Sequence, residues 1–264
     1  MDNLIIATSR ADAAAAEAVE QHHAQLAGAL RLAVERVVAA AVSGGDGAEP
    51  ARAALVRWCR EELVPHALAE EKTMYPAAHG LTEGRLLVDG MVGEHEVIVR
   101  LVEELAAATE PVRAAAVARA LLELFESHLA KENELVLPLL VAAADVSLAG
   151  LLEGMHDLLG GDAREHAGGE GAGAGAGHTC TCGEVDAAGY PELDARAVPH
   201  AIRHATIFGA LDAVHPGGGL VLVAPHDPLP LLAQVEQRAP GAFEVSYLER
   251  GPEAWRLQLV RRDA

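Results

Sequence analysis

In Ser127-His-Leu-Ala-Lys-Glu-Asn-Glu-Leu-Val-Leu-Pro138 a histidine and a glutamate, His128 and Glu132, stand one helical turn apart. They fall inside a longer run, Val117, Leu121, Leu124, His128, Glu132, Leu135, Leu139, whose steps are all three or four. That is the spacing of one helix face, and apolar residues mark it as the face that packs. The pair therefore sits where a helix is expected to be dry.

Three more segments upstream show the same form. Leu55, Cys59, Leu63, His66, Glu70, Met74 repeats the histidine and the glutamate; Val88, Met91, His95, Ile98, Val102, Leu105 carries one histidine and no acid. Val19, His23, Leu26, Leu30, Ala33, Val37 also carries one histidine, and His22 fits the period equally well. Breakers separate the segments: Ser43-Gly44-Gly45 after a helix from about Asp12 to Val42, and Thr109-Glu110-Pro111 after one from about Thr82 to Ala108. The remaining two helices, about Pro50 to Tyr75 and about Val112 to Ala144, contain Pro65 and Pro138, each read as a kink. Short connections between helices of similar length predict an antiparallel up-down four-helix bundle over residues 12–160, its end covered by a short fifth helix from about Ser147 to Leu159.

Beyond the bundle the composition changes. Residues 161–183 are mostly Gly and Ala, including the repeat Gly171-Ala-Gly-Ala-Gly-Ala-Gly177, and read as a flexible linker that ends in His178-Thr-Cys180-Thr-Cys182. Residues 184–264 alternate apolar runs with helical periods. Strands are expected at Glu192 to Val198, Gly219 to Ala224, Phe243 to Leu248 and Ala254 to Arg261, and helices at Ala201 to Val214 and Leu229 to Arg238. The fold class is thus an α-helical bundle joined to a small two-layer α/β sandwich of order βαβαββ. An apolar content of 51% with only 3% aromatic residues, mostly Ala, Leu and Val, suits closely approaching helices.

A formal charge of −19 excludes nucleic acid and anionic membrane surfaces as natural partners, since both would repel the chain. Met1 to Ala16 has no basic stretch followed by an apolar core, and the longest apolar run, Leu135 to Ala144, is far short of a membrane span. Three cysteines make no disulfide framework. A cytoplasmic protein is expected.

Histidine followed four residues later by an acid occurs at His66/Glu70, His79/Glu83, His128/Glu132 and His166/Glu170, but 13 histidines and 39 acids in 264 residues produce about two such pairs by chance. Position decides their meaning. One histidine on a core face is more often a hydrogen-bonded core residue than a ligand, and one such pair is more often a solvated ion pair. Here every predicted bundle helix presents an imidazole to the core and two add a carboxylate. Buried carboxylates without partners would cost several kcal/mol each, and Lys72 and Lys131 fall on other faces. A pair of metal ions satisfies them. Imidazole with carboxylate suits iron, and zinc and manganese remain open.

Residues 12–145 resemble the hemerythrin-like cation-binding family, most clearly at Glu20-Gln-His-His-Ala-Gln-Leu26, Pro65-His-Ala-Leu-Ala-Glu-Glu-Lys-Thr-Met-Tyr-Pro76, Gly93-Glu-His-Glu96 and Ser127 to Pro138. The resemblance implies His23 rather than His22 as the helix-one ligand, because an apolar residue, Leu26, follows three positions on. It implies His66, His95 and His128 as the other imidazole ligands, Glu70 and Glu132 as carboxylates bridging two irons, and a non-haem centre that binds or senses oxygen or nitric oxide. Oxygen carriers of the family have a second helix-three histidine where this chain has Val99, and Asp five residues after the helix-four histidine where this chain has Glu132 four after. That departure leaves room for reduction of nitric oxide or peroxide, or for an iron store or sensor.

Residues 190–262 resemble the family called domain of unknown function 2249, at Glu192-Leu-Asp-Ala-Arg196, Arg203-His-Ala-Thr-Ile-Phe208, His226-Asp-Pro-Leu-Pro-Leu231 and Gly251-Pro-Glu-Ala-Trp255. Its element order is similar to that of small sulfur-carrier proteins of the TusA type, but the cysteine those carry after the first strand is missing from Val198-Pro-His-Ala-Ile-Arg203. Persulfide transfer by that route is not expected. Cys180 and Cys182, with His204 and His226, form a second candidate metal or redox site. A redox or signalling protein partner is expected without the sequence naming it.

Overall fold

The structure is a computed structural model in which residues 9–44, 47–160, 190–198 and 203–263 are described. Up to residue 160 every regular element is helical. The order is α1 (Arg10–Ser43), α2 (Ala48–Trp58), a π turn (Cys59–Leu63), α3 (Val64–Lys72), α4 (Met74–Gly80), α5 (Arg85–Ala107), α6 (Pro111–Lys131), a second π turn (Glu132–Val136), α7 (Leu137–Ala142) and α8 (Leu148–Gly160). The C-terminal part adds β1 (Glu192–Asp194), α9 (Arg203–Asp212), β2 (Gly219–Ala224), α10 (Leu229–Arg238), β3 (Phe243–Arg250) and β4 (Trp255–Arg261). Among the described residues no helix is long and apolar enough to cross a membrane.

Pro65 and Pro138 act differently from simple kinks. Proline has no N–H, and its ring crowds the carbonyl four residues back. In both places the helix widens just upstream by one residue: Val64 N–H donates to the Cys59 carbonyl and Leu137 N–H to the Glu132 carbonyl, five residues back. The extra residue moves the buried face. After Glu132 the core positions are Val136 and Leu140, both 0% exposed, whereas Leu135, which the unbroken period places inside, is 50% exposed. The upstream stripe, with long steps already in its sequence, keeps Leu55, Cys59, Leu63, His66, Glu70 and Met74 all buried. Helix two also ends earlier than expected, at Lys72, and restarts as α4 after Thr73 leaves helical backbone angles.

The described residues fall into two compact units. One comprises those within Met1–His23, Trp58–Glu103 and Glu123–His178; the other comprises those within Ala24–Arg57, Glu104–Leu122 and Thr179–Ala264. The first has a core of Val19, Met74, Tyr75, Val88, Met91, Val136, Leu137, Leu140 and Leu148. In the second, the sheet runs β1-β2-β4-β3, with β1 parallel to β2 and the other two pairs antiparallel. The six residues of β2 are all buried, and Leu220, Leu222, Leu257 and Leu259 share a core with Ile207 and Leu211 of α9 and Leu231 and Val235 of α10. Strand β1 is shorter than expected because Asp194 ends it: its Oδ1 accepts the backbone N–H of Arg196 at 2.9 Å, and the Arg196 guanidinium folds back on the same carboxylate at 2.8 Å.

Within the second unit α1 and α9 meet backbone to backbone. A Cβ on Gly28 would strike the backbone of Thr206 and Ala210, and one on Gly209 would lie 2.6 Å from Gln25 Cα and 2.7 Å from the Ala24 carbonyl oxygen. Leu32 of α1 belongs to the same core as the sheet. Gly90 in α5, by contrast, has nothing within 4 Å of the space its Cβ would fill. Gly28→Ala should therefore destabilise by about 1–3 kcal/mol through overpacking, and Gly90→Ala should stabilise by about 0.5–1 kcal/mol through reduced chain entropy. Denaturant melts of the two variants check the opposite signs.

Candidate metal centre

Five elements deliver polar side chains into one dry space: His23 from α1, His66 and Glu70 from α3, Tyr75 from α4, His95 from α5, and His128 with Glu132 at the junction of α6 and its π turn. All are buried. His22, one residue away from His23, is exposed and meets the edge of His66, with ring centroids 4.9 Å apart. The ligand-capable atoms form two groups, His23, His66 and Glu70 in one and Glu70, His95, His128 and Glu132 in the other, each within 4.8 Å.

Both carboxylates straddle the groups. Glu70 Oε1 lies 3.2 Å from His23 Nε2 and 3.0 Å from His66 Nε2, while its Oε2 faces His95 Nε2 at 3.7 Å. Glu132 Oε1 lies 3.5 Å from His128 Nε2, and its Oε2 faces His23 Nε2 at 3.7 Å.

Hydrogen bonds on the outer side of the rings fix which nitrogen looks inward. His95 Nδ1 lies 2.8 Å from Glu71 Oε1, and His128 Nδ1 lies 2.9 Å from Glu94 Oε2. A carboxylate only accepts, so Nδ1 carries the proton and donates, leaving each Nε2 lone pair facing the interior. The two inward nitrogens are 3.0 Å apart. His23 Nδ1 pairs in the same way with Asn133 Oδ1 at 2.7 Å. His66 has no hydrogen bond at either nitrogen: its Nε2 is close to Glu70 but not aligned with it. Glu132 Oε2 is likewise without a hydrogen bond. Buried polar atoms left this way cost ~1–3 kcal/mol each. A cation between the rings would satisfy them, so the donor set fits a metal.

Sequence reading missed several members of the site. Tyr75 Oη donates to Glu132 Oε1 at 2.7 Å and lies 3.1 Å from His128 Nε2 and 3.4 Å from His95 Nε2. Its one signal was a tyrosine at the end of an apolar stripe, where a buried hydroxyl needs a partner. Glu71 and Glu94 stand beside stripe positions rather than on them. Lys131 does lie off the stripe, but it pairs with Glu94 and so touches the site from outside.

Charge is held in place by these contacts. Burial alone would lower the pKa of His23, but the hydrogen bond to Glu70 and the charges of Glu132 and Glu70 outweigh it and push it up to about 9. Burial would raise Glu70, yet His66 and His23 keep its carboxyl well below the usual range. Burial and the charges of Glu132 and Glu70 raise the Tyr75 phenol, which keeps its proton.

Only part of the second candidate site falls among the described residues. Cys180 and Cys182 lie outside them, and His204 and His226 are exposed and belong to neither ligand-capable group. Cys59 is buried in the first π turn, and burial pushes its thiol up to about 12, so it is inert.

Residues 14–166 match the family model described as hemerythrin HHE cation binding domain. The match covers more than half of the chain, and the chain belongs to that family. Residues 192–261 match a second model, described as Uncharacterized conserved protein (DUF2249), so the two matches follow one another along the chain. No curated protein and no solved structure matches the chain.

The raised His23 has a measurable effect. With a folded pKa of about 9 against 6.5 unfolded, its proton contributes stability in full below pH 6.5, and the contribution disappears as pH rises through about 9. A metal ion must displace that proton. Binding of a divalent cation at pH 7 is expected to release protons, and its apparent affinity to rise between pH 7 and 9. Calorimetry in two buffers of different ionisation enthalpy reads this; an affinity flat across the window would contradict it.

Proposed function

We propose that residues 12–160 form an antiparallel four-helix bundle around two iron ions and that the centre binds or senses oxygen or nitric oxide. His23 and His66 would serve one ion, His95 and His128 the other, and Glu70 and Glu132 would bridge them. The placement of both carboxylates across two donor groups, with His66 Nε2 and Glu132 Oε2 unsatisfied between them, carries this reading. Imidazole and carboxylate together suit iron. The HHE cation-binding family supports the same conclusion.

Four imidazoles for two ions leave coordination positions for a small ligand. Val99, where a carrier would have a further histidine, is 40% exposed on α5 and adds no donor. Iron there would supply redox chemistry toward a diatomic gas or a peroxide. The protein's own groups orient the donors, exclude water and hold a proton at Tyr75 Oη.

That proton favours a second reading, an enzyme that reduces nitric oxide or peroxide. A buried phenol 2.7 Å from Glu132 Oε1 is a hydrogen-bond donor held beside the centre, where it can stabilise a reduced ligand. The domain proposed for residues 184–264, after a linker at 161–183, would then receive electrons or pass on a signal.

Metal per chain after expression in iron-supplemented medium, with the visible spectrum before and after nitric oxide or peroxide, tests both. About two irons per chain and a ligand-sensitive spectrum, both lost in His66→Ala/Glu132→Ala with helical content retained, are expected. A fully helical protein without iron would sink the reading. Turnover under excess reductant separates the enzyme from the sensor.

A further inference from the structure

The outer partners of the four imidazoles are not alike. His95 and His128, whose inward nitrogens are 3.0 Å apart, each donate Nδ1–H to a carboxylate, Glu71 at 2.8 Å and Glu94 at 2.9 Å. On the other side His23 donates to the neutral amide oxygen of Asn133 at 2.7 Å, and His66 Nδ1 has no hydrogen bond. Two anions thus support one pair of rings, and none supports the other.

A carboxylate behind an imidazole makes the ring a stronger donor to whatever its other nitrogen binds. The gain is larger for a triply charged ion than for a doubly charged one, since the added electron density and the nearby negative charge both act on the metal charge. Glu71 and Glu94 are 30% and 26% exposed, so water screens them only in part. Lys131 pairs with Glu94 and withdraws some of its effect. Tyr75 Oη lies on the same side, near His95 and His128.

We propose that the two metal positions are unequal in redox terms: Glu71 and Glu94, acting through His95 and His128, make the ion on that side the first to be oxidised. There Fe(II) gives up one electron to an external one-electron oxidant and becomes Fe(III), the Nδ1 protons staying on their rings. The ion beside His23 and His66 remains Fe(II) until a higher potential. Glu71 and Glu94 are positioning residues in this scheme, since neither reaches the ions itself. The inference rests on the two-iron reading above.

Mediated redox titration of the iron-loaded full chain, with Mössbauer spectra at each stage, tests it. The wild type should show two separated one-electron steps and a half-oxidised form with one ferric and one ferrous ion. Glu71→Gln and Glu94→Gln should each raise the first potential by about 59 mV, a tenfold loss of preference for the ferric ion, and leave the second nearly unmoved. Lys131→Gln should lower the first potential, because Glu94 is then no longer neutralised. This opposite sign is one that mere loosening of the site would not produce, and the variant keeps every hydrogen bond to a ligand imidazole, so it decides even if the glutamate variants lose iron. A first potential that Lys131→Gln leaves in place or raises, or glutamate variants that shift only the second step, would overturn the proposal. A wild-type chain that binds no iron would instead overturn the two-iron reading beneath it.

Discussion

Two carboxylates in a dry interior govern the helical part of this protein. Glu70 is 1% exposed and Glu132 0%, and a buried anion is tolerated only where donors or cations surround it. The partners here are four imidazoles and a phenol, drawn from segments far apart in sequence. Each of these brings a demand of its own, since an imidazole that faces inward needs its outer nitrogen occupied. Glu71, Glu94 and Asn133 meet that demand for three of the four rings. The interior of the unit is therefore specified twice, by apolar packing and by a polar network in which each member limits the rotamers of its neighbours.

Much of this was legible in the sequence because a buried helix face declares itself by spacing. Val88, Met91, His95, Ile98, Val102 and Leu105 follow one period and are all buried, and so are Val19, His23, Leu26, Leu30 and Val37. His22 and His23 were equivalent by period, and only the packed structure separates them, one outside and one inside. The outer partners were harder to see. Glu71, Glu94 and Asn133 lie on partly exposed flanks, where acids and amides are ordinary, and their importance depends on distances across helices that periodicity does not encode. Tyr75 was hidden for another reason: helix two ends at Lys72 rather than running through it, so its orientation is set by the break at Thr73.

In the C-terminal part the strand β2 was readable as a continuous apolar run, which is how a strand buried on both faces reads. Strand β1 ends before its apolar pattern does: Ala195 and Val198 are buried even though the chain has already turned at Asp194. Apolar burial and extended backbone usually travel together, and here they part. The scarcity of aromatic residues has its structural counterpart in the close approach of α1 to α9, where glycine on both sides leaves backbone against backbone.

The π turn at Glu132–Val136 bears on which changes of length the helix tolerates. The turn holds one residue more than an α-helical turn would, and the helix absorbs that surplus locally instead of passing it on. Leu135, a leucine facing outward, is the visible trace of that surplus. Removing one residue from the turn would close the α-helical ladder with Leu137 and Leu140 still on the buried face, but it would press the ring of Pro138, which has no N–H to offer, against the carbonyl four residues back. Proline and surplus residue thus belong together: the wider turn is what makes room for a ring inside a continuous helix.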